Sequence, residues 1–112
     1  MKYFETVFLK KAKEFLVKLD RKSAKKVLYN VELAEQTKDP RLLKKLEKEI
    51  WEFRTKYKGV QIRFLAFWYK HDDEQTLVIA THGFIKKANK VPTREIKRAI
   101  LMRDAFFKRN KK

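Results

Sequence analysis

The apolar residues of this chain change their spacing once near the middle and again near the end, and that limits its possible folds more than any other feature. Phe8, Ala12, Phe15, Leu16 and Leu19 recur at helical spacing. Ala24, Val27, Leu28, Val31 and Ala34 mark one face of a second helical segment, with Lys and Glu on its other side and Asp20 placed to cap it. These two segments are expected to form an antiparallel helical pair. Asp39-Pro40 closes the region, because proline lacks an amide donor and disfavours helix in the residue before it. Arg41 to Glu47, with Leu42, Leu43 and Leu46, is expected to be a helical turn or an irregular packing segment.

From Glu49 the pattern becomes that of strands. Glu49 to Arg54, Val60 to Tyr69 and Thr76 to Phe84 are rich in aromatic and β-branched residues. Lys58-Gly59 offers a tight turn between the first two, and His71-Asp72-Asp73-Glu74 a polar loop between the second and third. Tyr3 to Phe8 reads as a further short strand that must join an edge of the same sheet. After the basic stretch Lys86 to Lys90, Pro92-Thr93 starts a helix. Thr93 is its expected N-cap, Glu95 suits the dipole of its first turn, and Ile96, Ala99, Ile100 and Phe107 form its inner face. Strand, two helices, meander and helix make an α+β domain: an antiparallel β-sheet with an N-terminal helical pair and a C-terminal helix, the helices on one face. A length of 112 residues suits a single domain over 1–112.

Charge narrows the function. Thirty Lys and Arg against 14 Asp and Glu give a formal charge of +16, whose self-repulsion a polyanionic or strongly acidic partner would relieve. RNA or DNA is the default polyanion. The absence of cysteine excludes disulfides and Cys-based metal sites, and two distant histidines make no zinc centre, so neither metal nor cofactor is expected. Glu5 interrupts any apolar leader and no stretch is apolar enough to span a bilayer. A cytoplasmic protein without a membrane partner is expected. There is no Gly-rich phosphate loop, HExxH or GxSxG motif.

Hairpin geometry singles out a constellation. With Lys58-Gly59 as a two-residue loop, Tyr57 pairs with Val60 and Arg54 faces Arg63. Directly opposed like charges are unfavourable, and a phosphate site is one reason to hold them together. The alternatives are that each arginine pairs with Glu52 or Asp73, or points to solvent. With residues 71–74 as the second loop, Lys70 pairs with Gln75 and Arg63 lies opposite His82, which aligns Arg54, Arg63 and His82 on one face with Lys86 and Lys87 close by. Arginine and lysine stabilise the charge of a phosphorane, and histidine transfers protons near neutral pH. Gly83 is expected to permit a bend or a ligand's approach. Trp51, Phe53 and Phe64 are expected in the core, whereas Phe67 and Tyr69 share parity with Arg63 and suit an exposed, base-stacking face as well as a core.

These residues carry a family resemblance. Ile50-Trp51-Glu52-Phe53-Arg54, a short turn, and Val60-Gln61-Ile62-Arg63-Phe64 resemble the central hairpin of RelE/ParE-type toxins. Thr81-His82-Gly83-Phe84-Ile85-Lys86-Lys87, then Val91-Pro92-Thr93-Arg94-Glu95-Ile96, resemble the HigB-like, phage-derived branch. The resemblance implies a RelE-like fold and a toxin of a type II toxin–antitoxin system that cleaves mRNA on the ribosome, by attack of a ribose 2′-OH on the adjacent phosphate. Its partners would be a cognate antitoxin of the helix-turn-helix type, mRNA and the ribosome. Arg54, Arg63, His82 and Lys86 would be catalytic, and Lys58, Lys87 and Lys90 would bind RNA. Some members use a C-terminal tyrosine near the scissile phosphate. This chain has Phe106 and Phe107 there, which makes His82 the substitute candidate for acid/base work. Two other readings are a ParE-like inhibitor of a DNA topoisomerase that cuts nothing, and a degenerate toxin that only binds antitoxin or RNA.

Overall fold

The computed structural model describes residues 1–71 and 75–111. Among them the elements run β1 (Glu5–Phe8), α1 (Lys10–Lys18), α2 (Arg21–Thr37), β2 (Leu43–Lys45), β3 (Trp51–Tyr57), β4 (Val60–His71), β5 (Gln75–Lys86) and α3 (Thr93–Arg109). The sheet order is β1-β5-β4-β3-β2. The meander is antiparallel as expected, but β1 lies parallel to β5, so the α+β sheet is mixed. After β1 the chain carries α1 and α2 across one face and starts the meander at the far edge. Strand β5 therefore returns alongside β1 in the same direction.

Three expectations are corrected. First, the sheet is mixed rather than antiparallel, because β1 runs parallel to β5; the two N-terminal helices pack on it as expected, α1 on β5 and α2 on β3. Second, the Leu42–Leu46 region holds a strand: β2 pairs with β3, Leu43 opposite Phe53, and buries Leu43 against the helical layer. Third, helices cover both faces. Phe4, Phe53, Phe64 and Val78 form one core with Ala12, Val27 and Val31 of α1 and α2. Ile50, Leu65, Phe67 and Ile79 form another with Ile96 and Ala99 of α3. The middle of β4, from Ile62 to Phe67, is buried from both sides, which its apolar run from Phe64 to Phe67 requires. Phe67 and Tyr69 accordingly lie beneath α3: Phe67 meets the Phe106 and Phe107 rings at centroid distances of 5.4 and 5.6 Å, and Tyr69 meets them at 5.0 and 5.5 Å. Phe53 and Phe64 are core residues and Trp51 is half-buried.

Local signals account for the element ends. Asp20 caps α2 by accepting from the Ser23 amide at 2.7 Å. Pro92, not Thr93, stands at the N-cap of α3, with no side-chain cap bond. Lys58 and Gly59 both have positive φ (51° and 78°), the form that matches the twist of a two-residue hairpin. Gly83 answers to packing rather than to a bend. A Cβ there would lie 2.5 Å from Phe15 Cδ2 and 2.8 Å from Phe64 Cε1. Gly83→Ala should therefore destabilise the protein by about 1–3 kcal/mol through overpacking. A denaturation midpoint unchanged by that substitution would show that Phe15 and Phe64 can move aside.

Candidate functional site: an arginine pair over a buried glutamate

The first hairpin has the expected register: Tyr57 pairs with Val60 and Arg54 with Arg63. The second does not. Strand β4 runs on to His71, which pairs with Gln75, and an irregularity between Leu65 and Ala66 leaves Thr81 as an extra residue on β5. Of the expected loop, residues 72–74 lie outside the described residues. The two one-residue displacements add up, so Arg63 pairs with Phe84 and His82 with Leu65. Because the total shift is two residues, side-chain parity is restored. Arg54, Arg63, His82 and Lys86 all belong to the α3 side of the sheet, in three successive rows: Glu52-Leu65-His82, Arg54-Arg63-Phe84 and Lys56-Gln61-Lys86.

The arginines share one carboxylate. Glu52, 2% exposed, lies 3.2 Å from Nε of Arg63 and 3.6 Å from Nε of Arg54. Neither Nε is aligned for a hydrogen bond, nor is Glu52 Oε2, so these are ion pairs between atoms whose directional capacity is unspent. Arg63 is buried and is held by donating from Nη2 to Gln61 Oε1 at 2.5 Å and from Nη1 to the Ile62 carbonyl at 3.3 Å. Burial pulls its guanidinium pKa below the usual arginine range, and Glu52 opposes that pull. The Arg54 side chain is 32% exposed. One carboxylate against two guanidinium groups leaves a net positive charge, and Lys56 and Lys86 extend it along the same face.

Strand β2 pairs with residues 51–53 of β3, so among the described residues the outer edge of β3 has no strand partner beyond Phe53, and the Arg54 amide donates to the Leu42 carbonyl at 2.8 Å. A cavity of about 450 Å³ opens at this edge, lined by Arg54 and Arg63 together with Asn30, Arg41, Lys56 and Gln61. Lys58 sits exposed in the adjoining hairpin turn, and Lys87 and Lys90 are exposed beyond β5. Sequence reasoning named Glu52 only as one alternative partner and missed Gln61 and Asn30. The spacing of Glu52 and Arg54, two apart on one strand, already places both on one face.

His82 lies outside this cavity, 2% exposed beneath α3. Its Nε2 is 3.0 Å from Glu95 Oε1 in the first turn of α3, and its Nδ1 is 2.9 Å from Thr81 Oγ1. Both ring nitrogens are thus engaged. Desolvation lowers the His82 pKa from the ordinary 6.5, with Arg98 adding to the effect and Glu95 opposing it. The neutral ring can donate from Nε2–H to Glu95, while Nδ1 lies against the Thr81 hydroxyl, which also donates to the Leu65 carbonyl at 3.2 Å. A depressed histidine pKa means that the unfolded chain binds a proton before the folded one does. Stability should therefore fall as pH drops through about 6.5, and this part of the loss should vanish in His82→Gln. Urea midpoints at pH 7.5 and 5.5 for both chains test this; equal pH slopes would count against it.

Among the described residues no cluster of three or more His, Cys, Asp or Glu is placed to hold a metal ion, and no helix among them is long and apolar enough to cross a membrane. The profile of the family described as "Phage derived protein Gp49-like (DUF891)" matches residues 14–103. The chain belongs to this phage-derived, Gp49-like family, a family of RelE-like, toxin-type proteins. No curated protein matches it significantly.

Proposed function

We propose that this protein is the toxin of a type II toxin–antitoxin pair, of the HigB-like branch, and that it acts in the cytoplasm as a ribosome-dependent mRNA endoribonuclease. The observation that carries the reading is the arginine pair: two guanidinium groups that line one cavity and share a single buried glutamate, which leaves a net positive charge there. A chain of charge +16 does not hold two arginines together against that background for solubility. A phosphodiester is the kind of anion that paired guanidinium groups bind.

In this reading Arg54 and Arg63 take the non-bridging oxygens of the scissile phosphate. The 2′-hydroxyl gives up its proton to solvent as its oxygen attacks phosphorus, the bond to the 5′-oxygen breaks, and that oxygen takes a proton from solvent, so that a 2′,3′-cyclic phosphate and a 5′-hydroxyl result. The arginines and Lys86 stabilise the charge that grows on the phosphorane. Lys58, Lys87 and Lys90 track the flanking backbone and give the binding its salt dependence. His82, with both nitrogens committed, serves best as the anchor of the α3 first turn and the support of Phe84, whose ring stacks on it at 6.1 Å. The partners are mRNA, the ribosome and an antitoxin, taken to be of the helix-turn-helix type, with an acidic segment. Raising the salt concentration should loosen that toxin–antitoxin complex.

Primer extension on cellular mRNA after brief expression tests the activity. Codon-linked cuts are expected. DNA damage without cuts would replace this reading with inhibition of a topoisomerase, and neither effect would leave a chain that only binds.

A further inference from the structure

Thr81 and His82 are consecutive on β5, yet their side chains meet. On a regular strand successive side chains point to opposite faces. The irregularity that leaves Thr81 without a strand partner brings the two together, with Thr81 Oγ1 2.9 Å from His82 Nδ1. The same hydroxyl lies 3.2 Å from the Leu65 carbonyl oxygen, and His82 Nε2 lies 3.0 Å from Glu95 Oε1. Leu65, Thr81, His82 and Glu95 thus form an unbroken chain of three polar contacts that runs from β4 through the β5 bulge to the first turn of α3. Thr81 is fully buried and His82 nearly so. Each of the three contacts needs one hydrogen. A neutral imidazole carries one and the threonine hydroxyl one, while the Leu65 carbonyl and a Glu95 carboxylate carry none. Two hydrogens therefore serve three contacts, and the hydroxyl can satisfy the carbonyl or Nδ1 but not both. One added proton completes the set: Thr81 donates to Leu65, Nδ1–H donates to Thr81, and Nε2–H donates to Glu95.

We propose that this chain of contacts is a one-proton switch, which couples the first turn of α3 to the Arg54–Arg63 pair and makes His82 a positioning residue. The route to the arginines is Phe84. Its ring stacks on His82 at a centroid distance of 6.1 Å, and it pairs with Arg63 across the sheet. Taking up the proton binds the bulge to β4 and to the ring at once, and places a cation against the Phe84 ring, an attractive pairing. The charges around His82 decide where the proton enters. Glu95 of α3 favours it, and Arg98 of the same helix opposes it. Arg94 stands 4.0 Å from the other Glu95 oxygen. Across Leu65 in the same row lies Glu52, which is committed to Arg63 and Arg54. Burial is the largest opposing effect, so the proton enters below the ordinary histidine value. None of this requires RNA as substrate, so loss of the nuclease reading would leave the switch in place.

The test follows the nitrogen-15 signals of the His82 ring and of Arg63 Nε in the whole chain as the pH is lowered from neutral, with His82→Gln to assign the ring. At neutral pH the ring should be the Nε2–H tautomer. Acidification should protonate Nδ1 in one step, and the Arg63 signal should move with the same midpoint. Thr81→Val keeps the shape and removes the hydroxyl. It costs the protonated set two bonds and the neutral set one, so the His82 midpoint should fall by about one pH unit. Glu95→Gln supplies the third hydrogen without a proton, because its amide can donate to Nε2. The ring should then change to the Nδ1–H tautomer at neutral pH, its titration should move to lower pH, and the Arg63 signal should move with it. Both variants are checked for folding by their melting transitions. A ring that stays Nε2–H in Glu95→Gln, or an unchanged midpoint in Thr81→Val, would overturn the switch. An Arg63 signal that stays flat while His82 titrates would overturn its coupling to the arginine pair.

Discussion

Arg63→Ala should slow RNA cleavage by roughly a hundredfold to a thousandfold and abolish growth inhibition. That is the loss expected when one preorganised contact to a developing oxyanion is removed, about 3–4 kcal/mol in the barrier. Arg63 is the stronger of the two arginines because it is held from three sides, by Glu52, Gln61 and the Ile62 carbonyl, on a strand with neighbours on both edges. Its charge is in place before substrate arrives. Arg54, on β3 and partly open to solvent, should lose less on the same substitution. Arg63→Lys separates charge from geometry: lysine keeps the cation but not the rigid fork, so it should restore only part of the rate. The buried position makes a folding control necessary, and single-turnover cleavage beside a melting curve supplies it. Full toxicity in both Arg54→Ala and Arg63→Ala would remove the physical basis of the nuclease reading.

The parts of this fold that were legible in the sequence are those in which local chemistry decides the outcome. Lys58-Gly59 fixed the first hairpin because a two-residue turn admits one register, and Asp20 set the start of α2 through its own side chain. Where tertiary packing decides, the sequence was silent. Leu42, Leu43 and Leu46 suit a helical turn as well as a strand, and only the open edge of β3 chooses between them. The direction of β1 depends on where the chain re-enters the sheet, which no four-residue strand encodes. Phe67 and Tyr69 share a face with the arginines, and charge at one end of that face hid the apolar layer at its other end, where Phe106 and Phe107 cover it.

The site shows the same division. Face and row are properties of register, and the Arg54–Arg63 pair followed from counting across one well-defined turn. His82 went to the wrong partner because the second hairpin has a one-residue longer strand and the bulge at Thr81 displaces the pairing again, and neither leaves a mark in residue type. The role of Glu52 was within reach, since one carboxylate two residues from an arginine shares its face. That it serves both arginines depends on burial. Asn30 was beyond reach: it reads as one polar position in a Lys-rich helix, and only the fold brings it to Thr55 and to the cavity at the β3 edge.

Removing Glu52 should be among the most damaging single changes to stability. Glu52→Ala leaves Arg63, 3% exposed, without its counter-ion and directly opposite Arg54 across the strands. Breaking a buried ion pair by deleting one partner typically costs about 3–5 kcal/mol, because the surviving charge stays desolvated and uncompensated. Against a total stability of about 5–15 kcal/mol for a domain of this kind, that brings the folded state close to its limit. The same argument predicts a rescue. With the carboxylate gone, the two guanidinium groups form a vacant anion site, and an anion that binds only the folded chain stabilises it by mass action. Inorganic phosphate should therefore raise the urea midpoint of Glu52→Ala by more than it raises that of the wild-type chain, whose arginines already have a carboxylate between them. Glu52→Gln keeps the shape and removes the charge, so it should fall between the two in stability and share the phosphate response. A Glu52→Ala chain within about 1 kcal/mol of wild type, well below the usual cost of a broken buried pair, would show that the arginines need no internal counter-ion. No phosphate response in either chain would show that the pair is not an anion site at all.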